Sequence, residues 1–342
     1  MNSLIFIVFG CRPWPVIDKC GRSVFQPFEM ERTMKKIFYA LTVLVILVGL
    51  SAASAKTAPP PGWRIDTPVT ANYVEAETPF TGKLQVIAFN IERGSFWPDV
   101  VKYIQARRAR NPATIVLLSE TDRNHSRTHD VFVADEMARA LKMNLVFATE
   151  FIEFNDETKD VQGDHGNAIL SPWPLTDIVV IRQLRLVDWG GWYGVKKGEP
   201  RYGDRVSIGA TALLPGGKKV RVYTAHLESF SETVGKWLQL RQLMPDIKAH
   251  NLPAVIGGDF NELPGMVMFG MLPLYGVRNA FAGDLAPTGG CKPDGDRAQC
   301  RIKIDWILYQ GLKLDSRAVD YPLNSAGGTL SDHVPVRAEF KF

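Results

Sequence analysis

The stretch that decides the fold is Val255–Glu262, which reads Val-Ile-Gly-Gly-Asp-Phe-Asn-Glu. Its apolar start predicts a buried strand, and the two glycines predict that this strand stops at a surface cleft. Side chains alternate along a strand end, so Asp259 and Asn261 should share one side and Phe260 the other. A carboxylate and an amide presented together suit phosphate chemistry at a divalent cation, because the acid polarises a water and the amide holds a phosphoryl oxygen. The alternative is a turn that uses Gly, Asp and Asn because these residues tolerate unusual backbone angles.

Polar side chains follow the other predicted strands in the same way. Leu84–Asn90 alternates and ends in an amide, whereas Thr114–Glu120 is an apolar run that ends in a carboxylate. Lys219–Ala225, the second strand of a predicted hairpin, is followed by His226. The polar residues at strand ends are, in chain order, Asn90, Glu120, His226, Asp259, Asn261, Asp305, Asp332 and His333.

The residue types at these strand ends point to hydrolysis. Two histidines with several carboxylates and amides, and no Ser or Cys in a nucleophile motif, favour attack by water over a covalent enzyme intermediate. Hard oxygen ligands favour Mg²⁺ or Mn²⁺ over zinc. Asp305 lies within the apolar strand Ile302–Tyr309, so its charge needs a partner if the strand is buried.

Amphipathic stretches between these strands predict helices, and one long segment predicts an irregular loop. The loop is Asp188–Arg205, which we place at the rim of the cleft. Its aromatic residues and arginines suit a phosphate and an apolar or aromatic substrate group, but a solvated connection explains them equally well, so none is assigned to the site. Ser95 is expected to cap the first helix. The predicted helices are Trp97–Arg108, Asp130–Lys142 and Ser231–His250.

The first fifth of the chain carries export signals. Met34–Lys36 is basic, Ile37–Leu50 is apolar but short for a membrane span, and Ala53 and Ala55 have the spacing that a signal peptidase accepts. We therefore predict a non-native or upstream extension over residues 1–33, a signal peptide over residues 34–55, and a periplasmic or secreted mature protein. The alternative is an uncleaved N-terminal membrane anchor. Residues 56–80 are Pro-rich and predict an extended linker, which leaves residues 81–342 as the domain.

Composition narrows the class of protein. A content of 46% hydrophobic and 22% charged residues is typical of a globular domain. Without Met1–Ala55, which holds six of the cations and three of the anions, the net charge falls from +4 to +1. A near-neutral domain disfavours a dedicated binder of duplex nucleic acid, which needs a strongly basic surface.

Two cysteines remain in the predicted mature chain. Cys291 and Cys300 lie nine residues apart in a loop rich in Gly, Pro and Asp. In an exported protein this spacing predicts a local disulfide. The alternative is a zinc pair, but no further Cys or His lies nearby in the sequence.

With these motifs in place, the chain resembles the endonuclease/exonuclease/phosphatase superfamily, the DNase-like metal-dependent phosphoesterases. The resemblance implies an α/β (α+β) fold, a four-layer sandwich of two packed mixed β-sheets flanked by helices, with the cleft where the strands end. The resemblance covers Leu84–Phe342. The motifs that carry it, in family order, are Phe89-Asn90, Ser119-Glu120, Ala225-His226-Leu227, Gly258-Asp259-Phe260-Asn261, Ile304-Asp305-Trp306 and Ser331-Asp332-His333.

The resemblance also implies a role for each strand-end residue. Asn90 and Glu120 would hold a Mg²⁺ or Mn²⁺ ion, with Asp332 at or near it. Asp259 would position or deprotonate the water, and Asn261 would bind the phosphate.

The histidines complete the implied machinery. His226 and His333 would bind phosphate oxygens and exchange protons, with His333 oriented by Asp305, because a carboxylate fixes the tautomer of an imidazole and raises its proton affinity. His226 needs an orienting partner too. The sequence departs from the family pattern here, because the loop before Asn167 has no obvious Glu, so Asp164 or His165 is the candidate.

The leading prediction is therefore an exported, Mg²⁺-dependent phosphoesterase acting on phosphodiester or phosphomonoester bonds. Nucleic acid, phospholipid and sugar phosphate all stay open as substrates, and the aromatic residues of Trp189–Tyr193 favour a lipid or a sugar phosphate. The alternative is a catalytically silent phosphate-binding or lipid-binding protein on the same scaffold. We expect a monomer without a stable protein partner.

Overall fold

The computed structural model describes residue 60 and residues 63–155, 157–295 and 297–342, so the predicted extension and signal peptide lie outside the described residues. Across this part of the chain the strands are β1 Val69–Asn72, β2 Lys83–Arg93, β3 Thr114–Arg123, β4 Asn144–Phe154, β5 Val161–Ser171, β6 Leu175–Arg182, β7 Arg201–Gly203, β8 Val206–Leu213, β9 Lys219–Ala225, β10 Ala254–Asp259, β11 Arg278–Asn279, β12 Lys292–Asp294, β13 Arg297–Gln299, β14 Asp305–Gln310, β15 Lys313–Val319 and β16 Val336–Lys341. The helices of the same part are α1 Trp97–Arg108, α2 Val133–Leu141, α3 Trp192–Lys197, α4 Thr233–Arg241, α5 Met244–His250 and α6 Val267–Met271.

Most of the strands form two mixed sheets. The 8-stranded sheet has the order β1-β4-β5-β3-β2-β16-β15, with β7 also paired to β4, and the 6-stranded sheet has the order β11-β14-β10-β9-β8-β6. β2 and β3 run parallel in the first sheet, as β9 and β10 do in the second. The carboxyl ends of parallel neighbours lie at the same edge of a sheet, which sets the place where polar strand-end residues gather.

The two sheets pack face to face through one apolar core. Val86 of β2 and Leu117 of β3 belong to the same buried cluster as Val222 of β9 and Ile256 of β10. Burial of each such side chain contributes roughly 2 kcal/mol to stability. Gly257 permits the close approach, because a Cβ there would lie 2.8 Å from Leu117 Cδ1.

Helices cover the outer faces of both sheets. Ile87 and Phe89, which alternate with the core residues of β2, pack with residues of α1 and α2. On the second sheet, Asp246 of α5 accepts hydrogen bonds from Arg221 Nη2 at 2.7 Å and from the Tyr223 hydroxyl at 2.5 Å. The helix, sheet, sheet and helix layers confirm the predicted sandwich fold.

Two helix predictions differ from the structure. The single helix predicted over Ser231–His250 is divided into α4 and α5, because Pro245 lacks the backbone N–H that would continue α4 and instead begins a new helix. Ser95 does not cap α1: the capping residue is Phe96, and Ser95 Oγ faces the carbonyl oxygen of Glu92. Among the helices of the described residues, none combines the length and the hydropathy that a membrane crossing requires.

Two segments predicted to be irregular contain ordered structure. β1 lies within the predicted linker and pairs antiparallel with Asn144–Phe147, so Val69–Asn72 belongs to the first sheet. The predicted loop Asp188–Arg205 contains α3 and β7, and β7 pairs with Phe151–Glu153. Arg201 and Arg205 of this segment are buried. Both corrections have the same cause: short edge strands are fixed by partners far away in the sequence.

Candidate active site

Asn90 lies where strands of both sheets meet. Along β2, Val86 and Ala88 face the second sheet, and the alternation carries Asn90 to the same side. Its Nδ2 donates to Asp259 Oδ2 at 3.1 Å and to Glu120 Oε1 at 3.3 Å. One buried amide therefore holds two carboxylates, one from each sheet.

Glu120 reaches this place through an irregularity in β3. Val116 and Leu118 face the helices, so a regular strand would direct Glu120 to that outer face as well. Instead, Glu120 has a φ of 56°, and the pairing of β3 shifts register between Leu118 and Thr121. A bulge of this kind re-aims a side chain, and here it turns the carboxylate towards the interface of the two sheets. Burial opposes ionisation of Glu120, but Arg93 and His226 outweigh it and hold its pKa below the ordinary value.

Asp259 lies between two imidazole rings. Its Oδ2 is 3.6 Å from His226 Nε2 and 3.6 Å from His333 Nε2. The backbone fixes this arrangement, since Leu227 N donates to the carbonyl oxygen of Asp259 at 3.0 Å and so ties the ends of β9 and β10 together. Asn261 lies directly beside it and donates its backbone N–H to Asp259 Oδ1 at 2.8 Å.

His333 is held by a carboxylate from β14. Asp305 pairs with Asp259 in the antiparallel register of β10 and β14, and its Oδ2 lies 2.8 Å from His333 Nδ1. Burial alone would lower the pKa of His333, but the carboxylates of Asp305 and Asp259 outweigh it and raise that pKa well above the ordinary value. These carboxylates therefore favour the protonated form of the ring, whose Nε2 faces Asp259 and Asp332.

His226 is held by Glu150 and Arg205. Its Nδ1 lies 3.3 Å from Glu150 Oε2, and Arg205 Nη1 lies 2.9 Å from both ring nitrogens and 2.7 Å from Glu150 Oε1. Burial opposes ionisation of Glu150, but His226 and Arg205 lower its pKa to about 2. The predicted partners were wrong: Asp164 instead binds Arg123 at 2.8 Å, and His165 binds Glu153 at 2.7 Å.

A sequence signal for Glu150 did exist. The apolar pattern of Asn144–Thr149 also predicts a strand, and this strand ends immediately before Glu150, so the rule that selected Glu120 also selects Glu150. Arg205 carries no comparable signal, because its segment reads as an irregular loop and its contacts come from β4 and β9.

The site opens on the side of Asp332. Its side chain is 53% exposed, whereas those of Asp259 and His333 are 3% and 8% exposed. Asp332 Oδ1 lies 3.9 Å from His333 Nε2, and its backbone N–H donates to Glu92 Oε2 at 2.8 Å. Partial burial raises the pKa of Asp332, and repulsion from Glu120 and Asp259 adds to this against the attraction of His333. Burial and the charge of Asp332 likewise raise the pKa of Glu92.

These contacts bring all of the strand-end residues of the sequence prediction together. We refer to them as the Asp259 site: Asn90, Glu120, His226, Asp259, Asn261, Asp305, Asp332 and His333.

The donor chemistry of the Asp259 site fits a hard dication. Glu120 and Asp332 offer carboxylate oxygens beside Glu92, and their mutual repulsion is what a dication would neutralise. Asp259, Asp305 and His333 also form a compact group, with ligand atoms within 4.8 Å of one another. Asp305 and His333 already satisfy each other, however, which favours the side of Glu120 and Asp332.

Asn90 fits the role of ligand less well than the two carboxylates. Its Nδ2 faces Glu120 and Asp259, and its Oδ1 accepts a hydrogen bond from the backbone N–H of Glu92 at 3.1 Å. The assignment of Asn90, Glu120 and Asp332 as metal ligands stays a prediction.

A second group of charges lies next to the Asp259 site. We refer to Glu153, Arg93, His125, Arg127 and His165 as the Glu153 cluster. The Glu153 carboxylate lies 2.6 Å from Arg127 Nη1, 2.7 Å from His165 Nδ1, 3.4 Å from His125 Nε2 and 3.6 Å from Arg93 Nη1. Burial opposes ionisation of Glu153, but His165, His125 and Arg93 outweigh it and lower its pKa. Burial and Arg93 lower the pKa of His165 to about 4.

Comparisons with known proteins agree with this architecture. Residues 87–333 match the profile of the Endonuclease/Exonuclease/phosphatase family. No curated protein sequence matches the chain.

Similar solved structures share the fold. An endonuclease/exonuclease/phosphatase from Beutenbergia cavernae has a TM-score of 0.55 at 18% identity, over 76% of this chain and 72% of that one. A mannosyl-6-phosphatase from Bacteroides thetaiotaomicron has a TM-score of 0.50 at 16% identity, over 76% of this chain and 100% of that one. TDP2 from D. rerio, in complex with a single-strand DNA product, has a TM-score of 0.50 at 16% identity, over 76% and 99% of the two chains.

Proposed function

The chain belongs to the endonuclease/exonuclease/phosphatase family, and from this premise we propose that it is an exported, Mg²⁺-dependent phosphoesterase that uses water to hydrolyse phosphodiester or phosphomonoester bonds. Members of this family are hydrolases of phosphoester bonds. The observation that carries the proposal is the Asp259 carboxylate between the imidazoles of His226 and His333, each held by a further carboxylate. Such a constellation suits proton transfer to and from water and a leaving oxygen.

The contacts of each side chain indicate its role in the proposed reaction. Asp305 occupies Nδ1 of His333, so Nε2 of the imidazolium is free to donate a proton to a phosphate or leaving-group oxygen. Glu150 and Arg205 hold His226 so that its Nε2 faces Asp259. Asp259 is then placed to orient a water or accept its proton, with Asn261 beside it for a phosphoryl oxygen. A Mg²⁺ ion held by Glu120 and Asp332 would supply Lewis-acid stabilisation of phosphoryl charge.

The substrate is open between several classes of phosphate ester. Among the structural neighbours, one is named for a sugar phosphate and another holds a DNA product. We propose to assay plasmid DNA, sphingomyelin and an inositol phosphate in parallel, each with Mg²⁺, with Mn²⁺ and with EDTA. Hydrolysis of one substrate that EDTA abolishes and Mg²⁺ restores is the expected result. Inertness on all three would favour the silent phosphate-binding or lipid-binding alternative, and activity that survives EDTA would remove the metal from the proposal.

Export is the part of the proposal that rests on the N-terminal sequence. The disulfide between Cys291 and Cys300, which the structure contains as predicted, supports an oxidising compartment. Sequencing the N-terminus of the protein recovered from periplasm or medium should give Lys56 as the first residue. A start upstream of Lys56 in a membrane fraction would instead support the uncleaved anchor.

A further inference from the structure

An exposed apolar surface lies on α3 and the neighbouring loop. Trp192 is 72% exposed, Phe230 is 52% exposed and Val195 is 47% exposed. Trp192 and Val195 are three residues apart on the helix, so they share one face. We refer to Trp192, Val195, Lys196, Lys197 and Phe230 as the α3 patch. Large apolar side chains gathered in this way mark a contact surface more often than a chance exposure.

The α3 patch is built on a buried aromatic base rather than on a loose loop. Trp189 is 4% exposed, and its ring packs against Tyr193 at 5.2 Å and against Phe230 at 5.7 Å between centroids. Its Nε1 donates to Glu228 Oε2 at 3.0 Å, and the Arg201 guanidinium lies 4.0 Å from its ring centroid. The buried base therefore holds Phe230 directly and holds α3 through Tyr193.

The same base connects the patch to the Asp259 site. Glu228 Oε2 lies 3.5 Å from Arg205 Nε, and Arg205 contacts His226. Buried contacts through Trp189, Glu228 and Arg205 therefore link the base of the α3 patch to His226.

Cations border the apolar side chains. Lys196 Nζ lies 4.7 Å from the ring centroid of Trp192, and Lys197 Nζ lies 5.0 Å from that of Phe230. The next carboxylate in the sequence, Glu199, is paired with Arg201. The charged members of the α3 patch, Lys196 and Lys197, are therefore complementary to phosphate groups, while the exposed Asp188 carboxylate lies beside Gly191 at the start of the helix.

The arrangement favours a lipid surface over a single-stranded nucleic acid. A single-stranded nucleic acid stacks successive bases on aromatic rings along a basic groove, but the α3 patch offers two exposed rings, those of Trp192 and Phe230. Val195 has no ring to stack, whereas an aliphatic side chain partitions readily into an acyl boundary. Aromatic rings at headgroup level, with lysine ammonium groups reaching lipid phosphates, are typical of proteins bound at a membrane interface.

We propose that the α3 patch docks on the surface of a phospholipid bilayer that contains anionic headgroups. Trp192, Val195 and Phe230 enter the interface, and Lys196 and Lys197 contact lipid phosphates. This membrane binding goes beyond the proposed hydrolysis. It is independent of that activity, because vesicle binding is measured without substrate turnover.

The test is vesicle sedimentation with the protein that begins at Lys56, which keeps every described residue and lacks the apolar N-terminal segment. Phosphatidylcholine vesicles with and without phosphatidylglycerol are the probes. Binding to the phosphatidylglycerol vesicles should fall about tenfold in Trp192→Ala and in Phe230→Ala. It should fall about fivefold for each lysine neutralised in Lys196→Gln and Lys197→Gln, and it should weaken with salt.

Matched controls are Leu274→Ala and Leu285→Ala, since these side chains are 71% and 69% exposed elsewhere on the chain. Both controls should bind vesicles like the wild type, and thermal melting should show that every variant folds. Absence of wild-type binding, or equal losses in the controls, would overturn the proposal. A Trp192→Ala variant that keeps vesicle binding but loses binding to oligo-dT would assign the patch to single-stranded nucleic acid instead. His333→Ala should bind vesicles normally even if turnover is lost, which separates docking from hydrolysis.

Discussion

The Asp259 site and the Glu153 cluster contain the same kinds of side chain, yet their charges are balanced differently. The Asp259 site gathers the carboxylates of Glu120, Asp259, Asp305 and Asp332 around His226 and His333, and the pKa values of Asp259 and Asp332 are raised. In the Glu153 cluster a single carboxylate is contacted by two arginines and two histidines, and its pKa is lowered.

The difference separates a site built for a ligand from one that supports the fold. Surplus negative charge beside an exposed carboxylate leaves room for a cation and a phosphate, whereas a carboxylate surrounded by its own cations is already satisfied. Arg93 joins the two groups, since its Nη1 lies 3.5 Å from Glu120 Oε2 and 3.6 Å from Glu153 Oε1. Through Arg93, the Glu153 cluster thus helps to keep the Glu120 carboxylate ionised.

The largest expected effect is on turnover in the Asp259 site. His226→Ala and His333→Ala should each lower kcat by about two to four orders of magnitude, because each removes a group that exchanges protons with the reacting atoms. His250→Ala is the control and should leave kcat unchanged, because His250 lies on α5 and contacts Asp246 of the same helix. Steady-state kinetics on the substrate that the assay panel identifies measure this effect, and full activity in either variant would exclude that histidine from the mechanism.

The Glu153 cluster should respond in stability rather than in chemistry. Glu153→Gln removes one buried counter-charge of Arg127 and Arg93, which then face only Asp122 and Glu120, so the free energy of unfolding should fall by about 3 kcal/mol. The control is Glu75→Gln, because Glu75 and its partner Lys142 are 64% and 61% exposed, and an exposed pair contributes about 1 kcal/mol or less. Urea unfolding measures both. A Glu153→Gln protein that is as stable as the control would show that the cluster is not structural.

Acid should destabilise the folded protein through His165 of the same cluster. The folded protein keeps this histidine neutral down to a pKa of about 4, whereas the unfolded chain takes up the proton below its ordinary pKa of 6.5. Unfolding is therefore favoured as the pH falls from about 6.5 to about 4, by up to roughly 3 kcal/mol. Urea unfolding over this pH range should show that the free energy of unfolding depends less on pH in His165→Gln than in the wild type. The pH dependence should stay unchanged in His129→Gln, because His129 is exposed. Equal pH slopes in all three proteins would contradict the assignment.

The smallest effect is expected from the disulfide, which borders the open side of the Asp259 site. Cys291 N donates to the carbonyl oxygen of Asp332 at 2.9 Å, so the bridge restrains the segment that carries Asp332 and His333. Replacing both cysteines with serine should lower stability by about 2–3 kcal/mol. Urea unfolding with and without dithiothreitol provides the check: the reductant should shift the wild type and leave the double variant where it is. A shift in both would show that the reductant acts elsewhere.

Much of the site was accessible from the sequence because its residues stand at or near the ends of strands. Asn90 follows from simple alternation along β2, and the two histidines follow from their positions next to strands. Glu150 was missed although it obeys the same rule. Glu92 and Arg93 were missed because the backbone turns at φ values of 46° and 69°, which strand alternation does not foresee.

By itself, the sequence determined that polar residues would stop a series of apolar strands and that these residues, in the order typical of the family, would suit hydrolysis of phosphate esters. Alternation and apolar runs act over a few residues, so local patterns reveal them. Only the tertiary structure decided that Asp259 lies between both histidines, that Glu150 and Arg205 hold His226, and that Arg93 joins the Asp259 site to the Glu153 cluster. These contacts depend on how two sheets pack and where β3 bulges, and distant parts of the chain determine both.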